Sequence, residues 1–77
     1  MSPSQHMASI IAGHTDIKDA PKAVQSWARF HLFEMAVDVI KLSSQESRKA
    51  ALDCFPDRLR PYVGDEIKRL WPVRRTL

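Results

Sequence analysis

The stretch APKAVQSWARFHLFEMAVDVIKL, residues 20–42, decides how the rest of the chain must fold. It is long, free of glycine, and free of proline after Pro21, so its spacing predicts one helix over about 20–42. Advancing about 100° per residue, Ala20, Ala23, Val24, Trp27 and Ala28 share one side in its first half. In the second half the apolar side is Leu32, Phe33, Ala36, Val37, Val39 and Ile40. There the polar wedge of His31, Glu34, Asp38 and Lys41 points where Trp27 pointed. The apolar face therefore turns through about half a circle. Two arrangements satisfy that pattern. Either the helix bends or splits near Arg29–His31, or it is central and contacted from two directions, the second by another subunit or by the chain's own N-terminal helix.

Upstream, Ser2 and Pro3 can open a short helix with Met7, Ile10 and Ile11 on one side, closed by Gly13. The stretch SQHMAS at 4–9 resembles the residues left by expression cloning sites, so either some of residues 1–9 are tag-derived or disordered or Met7 is the natural start, and His6 carries no functional weight. GHTDIKDAP, residues 13–21, is a loop rich in turn formers, with Asp19 placed to cap the long helix.

Downstream, Ser43 with Glu46 three residues later forms a capping box for a helix over about 44–54, with Ala51, Leu52 and Phe55 inward. Pro56 ends it, because proline lacks an N–H and disfavours helical geometry in the residue before it. Pro61 suits the first position of a last helix over about 61–71, carrying Val63, Ile67, Leu70 and Trp71 in one stripe. Pro72 stops that helix. Gly64 inside it borders the stripe, which predicts close approach of a neighbouring helix. The expectation is an all-α fold, a compact bundle of three to four short helices with one longer central helix, in a single domain over 1–77.

Bulk properties narrow the function. A chain of 77 residues has a small core and marginal stability. A single cysteine, Cys54, excludes an internal disulfide and reads as a buried core thiol beside Phe55, in keeping with a reducing, cytoplasmic setting. No apolar run reaches the roughly 18 residues of a membrane span, and no signal-peptide pattern opens the chain. The net charge of +3 is uneven: six basic and two acidic residues fall within 58–77, against six and seven before them.

The histidines and Cys54 lack zinc-type spacing, and His31, Glu34 and Asp38 read as a solvated polar cluster rather than a metal site. With two glycines in all, the chain has no phosphate-binding loop, and no serine sits in a nucleophile motif. No cofactor, metal or catalytic residue is expected.

Two functions remain. The helices at 44–54 and 61–71 suggest a helix-turn-helix, with Arg58, Arg60, Lys68, Arg69, Arg74 and Arg75 as a basic patch for phosphates. Its linker exceeds the usual turn, however, and Asp65 and Glu66 lie early in the supposed reading helix. The preferred expectation is a non-enzymatic regulator or adaptor that binds another protein, and forms a homodimer, through Phe33, Val37, Ile40 and Trp71. Cofactor-free helical proteins of this size are often inhibitors or modulators, including those encoded by phages and mobile elements; that association comes from size and class alone.

Overall fold

A computed structural model describes residues 2–77. Four helices follow in order: α1 (Pro3–Ile11), α2 (Lys22–Ile40), α3 (Gln45–Asp53) and α4 (Arg60–Leu70). A short 3-10 turn, Ile17–Asp19, precedes α2, and a second, Trp71–Thr76, continues α4. No strand occurs among the described residues, so the fold is an all-α bundle around one long helix.

The helix boundaries follow local chemistry, with two corrections. Ser2 and Gln5 form a reciprocal capping box at α1: the Gln5 N–H donates to Ser2 Oγ at 3.2 Å and the Ser2 N–H to Gln5 Oε1 at 2.8 Å. The expected Asp19 cap on α2 does not form. Pro21 occupies that position without a side-chain cap, and Gln25 folds back to donate to the Ala20 carbonyl at 2.8 Å. The box between Ser43 and Glu46 is also absent. Ser44 caps α3 instead, accepting from the Ser47 N–H at 3.0 Å, because the chain turns one residue later than the pattern suggested.

α2 is one continuous helix. Its buried positions Val24, Ala28, Leu32, Ala36 and Ile40 recur every four residues. Four steps of about 100° overshoot a full turn by about 40°, so this stripe winds gradually around the helix. The face turns without a bend, and both of its contact directions come from the chain itself. Val24, Ala28 and Leu32 share a core with Met7 and Ile10 of α1, Ile17, Leu59 and Val63. Ala36 and Ile40 pack against Leu70, with Ile67 and Trp71 alongside. α4 thus runs beside α2 in the same sense, Val63 against its first half and Leu70 against its second. The alanines at 28 and 36, only 2% and 0% exposed, leave room for that approach.

Three residues sit differently from expectation. Trp27 lies on the outer side of α2, 41% exposed, because the winding stripe passes through Val24 and Ala28 and leaves it behind. Cys54 is exposed rather than a core thiol, since it terminates α3 on the solvent side and leaves the inward position to Phe55. Gly64 is not a close-approach site: a Cβ there would meet nothing within 4 Å. Gly13 is the constrained glycine. Its φ of +81° closes α1, and a Cβ on it would fall 2.5 Å from Cβ of Pro56.

Opposite outcomes are therefore expected at the two glycines. Gly64→Ala should stabilise by roughly 0.5–1 kcal/mol and raise Tm by several degrees in a thermal melt. Gly13→Ala should destabilise by at least about 1–2 kcal/mol from backbone strain alone, before its clash with Pro56 is counted.

Candidate functional site

The prolines and arginines of residues 54–75 join the elements together. Pro56 stacks on Gly13, so the break after α3 meets the end of α1. Beside this contact Arg58 Nη1 donates to the His14 carbonyl at 2.6 Å, and the Tyr62 hydroxyl donates to Asp16 Oδ1 at 2.6 Å. Asp16 also accepts the Lys18 N–H at 3.1 Å. The Tyr62 hydroxyl, then the Lys18 N–H, hold the Asp16 carboxyl below its ordinary 3.8. Donation to that carboxylate, reinforced by desolvation, raises the Tyr62 hydroxyl above its ordinary 10.0.

Arg60, Arg69 and Arg74 are similarly engaged. Arg60 Nη2 donates to the Asp53 and Phe55 carbonyls at 3.2 and 3.0 Å, satisfying acceptors at the end of α3, while its Nη1 lies 3.1 Å from Asp57. Arg69 pairs with Glu66 one turn away. Arg74 stacks on the Trp71 ring at 4.4 Å and donates to the Trp71 carbonyl, and Arg48 of α3 lies 5.2 Å from the same ring. Lys68 and Arg75 are exposed and make no ion pair among the described residues. Of the six basic residues expected as a patch, Arg58, Arg60 and Arg74 bind carbonyls at joints of the fold, Arg69 pairs within α4, and Lys68 and Arg75 face solvent.

The expected protein-binding residues fare unevenly. Ile40 is not an exposed candidate: it is 8% exposed and part of the core, because α4 and its 3-10 extension cover the second half of α2. Phe33, Val37 and Trp71 are half-buried against that same core. The open aromatic surface lies on the first half of α2, where Phe30 is 62% and Trp27 41% exposed. His31 sits between them, with its ring 5.9 Å from Trp27 and 6.3 Å from Phe30. Phe30 escaped the sequence reading because it falls where the apolar direction changes; an aromatic bordering a polar wedge was the available signal.

Beside Phe30 a groove of about 600 Å³ separates α2 from α4. Arg29, Phe30 and Phe33 form one wall, Tyr62, Asp65, Glu66 and Arg69 the other, and Ile17 and Leu32 also line it. The chemistry is aromatic with charges of both signs, which suits the side chains of another polypeptide. His31 and Glu34 approach to 4.0 Å, and Asp38 does not complete a metal site with them; no group of three metal-ligating side chains occurs among the described residues. No helix described is long and apolar enough to cross a membrane. Comparison with known protein families, characterised proteins and solved structures gives no match.

The clamp between Tyr62 and Asp16 should give stability a defined pH dependence. A lowered Asp16 contributes stability that is present above 3.8 and lost as pH falls through its folded value. A raised Tyr62 contributes stability that is present below 10.0 and lost as pH rises through its folded value. Tyr62→Phe should lower Tm by a few degrees at pH 7 and remove the alkaline loss attributable to this group, as followed by circular dichroism melts across pH.

Proposed function

We propose that this chain is a small, non-enzymatic regulatory or adaptor protein that acts by binding another protein through the outer face of α2 and the groove beside it. The observation that carries the reading is Phe30, a large aromatic side chain 62% exposed at the rim of a groove with aromatic and charged walls. Exposed aromatics flanked by arginine are the usual energetic anchors of protein interfaces, and an amphipathic helix laid in a groove is a recurrent mode of recognition. The non-enzymatic part rests on what the charged groups do: Asp16 and the arginines tie loops and helix ends together. A second copy of the chain is one protein that the face could receive, and a cytoplasmic setting agrees with the single exposed cysteine.

The test compares two substitutions. Phe30→Asp changes an exposed side chain, so the melting curve should stay within about 0.5 kcal/mol of wild type. Binding to the purified partner, or self-association read by light scattering, should weaken at least tenfold, about 1.4 kcal/mol. Ile40→Asp buries a charge and should unfold the protein instead of removing binding selectively. Unchanged binding by Phe30→Asp would refute the assignment of the surface.

The charge of residues 58–77 supports a second reading, in which α3, the turn and α4 bind nucleic acid. That reading expects duplex binding at low salt, with Arg74→Ala and Arg75→Ala together reducing the salt dependence by about two phosphate contacts. The engagement of Arg58, Arg60, Arg69 and Arg74 within the fold, and the exposed Asp65 on α4, weigh against it.

A further inference from the structure

We infer that α3 is a hinged flap that opens independently of the rest of the fold and uncovers an apolar cleft on α2. The helix is nine residues long and contributes no buried side chain, whereas each of the other three helices buries at least two. A helix that short does not persist alone in water, so α3 depends on what little holds it to its neighbours. Beneath it lies a cleft of about 290 Å³, lined by Met35, Val39 and Leu42 on one side and Ala51 and Phe55 on the other, with Asp38 also at its edge. Val39 is buried, 4% exposed, and the cleft opens beside it rather than being filled from α3.

Both ends of the flap are suited to movement. Lys41 to Ser44 are all exposed and non-helical, and at the other end Pro56 is fixed on Gly13 and cannot propagate helix backward. The fasteners are few. Leu52, and Phe55 just beyond the helix, pack half-buried against the first core, and Arg60 holds the Asp53 and Phe55 carbonyls. Arg48 donates to the Leu42 carbonyl at 2.8 Å while resting on Trp71. Few buried apolar contacts and exposed backbone hydrogen bonds are the physical marks of a low-stability cooperative unit.

Hydrogen exchange of the native protein, resolved by residue, tests this directly. α3 amides should open at least about tenfold more often than those of α2 and α4, yet remain protected relative to an unfolded peptide. Arg48→Ala removes a hydrogen bond and a cation–π contact and should speed α3 exchange on the order of tenfold while leaving α4 unchanged. Should that variant unfold, Ala51→Leu, which fills the cleft, should slow α3 exchange selectively. Exchange of α3 in step with α4, or no protection of α3 at all, would overturn the inference. So would a variant that shifted both helices equally.

Discussion

The architecture depends on a mismatch of periods along α2. An apolar repeat of four residues on a helix of about 3.6 per turn cannot stay on one side, so a single flat partner could never cover it. The stripe from Val24 to Ile40 therefore needs a partner whose contacts follow it around. α4 does this by lying alongside, with Leu59 and Val63 meeting the early positions and Leu70 the late ones. α1 and the Ile17 turn close the first half. The outer face left over is where Trp27 and Phe30 emerge, so the surface most open to a partner is a by-product of the same winding.

The second constraint is the placement of breaks. Three prolines in residues 54–75 interrupt the helix at points where other parts of the chain must connect, and each break leaves backbone carbonyls that need donors. Arginine meets this need well, because its planar fork reaches two carbonyls or a carbonyl and a ring together. Arg60 bridges the end of α3, Arg58 reaches the loop before α2, and Arg74 closes the turn around Trp71. Part of the uneven charge of residues 58–77 thus serves local geometry, while Lys68 and Arg75 remain exposed. Exposed ion pairs such as Arg60 with Asp57 contribute little by themselves, but hydrogen bonds to otherwise orphaned carbonyls contribute more.

Periodicity and punctuation made the fold legible. The existence of α2 and α4, the capping role of Ser2 and Pro3, the stop at Gly13 and the stripe of Val63, Ile67 and Leu70 all follow from local rules, whereas the start of α2 does not. What local rules could not supply was the neighbour. Trp27 and Ile40 exchange roles relative to expectation because each lies near a boundary of the apolar arc, where only the position of α4 decides exposure. Gly64 and Gly13 show the same division: the sequence marks both as unusual, but the clash with Pro56 is a tertiary fact. Of the side chains expected to meet a partner, Phe33, Val37 and Trp71 are half-buried and Ile40 is covered, while the exposed aromatics Trp27 and Phe30 lie earlier on the helix, where no local rule placed them.

The joint between the 13–16 loop and the 56–62 segment also has a kinetic side. Arg58 reaches back 44 residues and Tyr62 46, so the contacts that complete the first core close a loop spanning over half the chain. Individual helices form in about a microsecond or less, whereas bringing the two ends of that loop together is an entropic search. Until it succeeds, Met7 and Ile10 have only part of their packing and the first half of α2 lacks Leu59 and Val63. The meeting point of loop and proline turn is thus where two distant parts of the chain become one core, and a change there is felt by both.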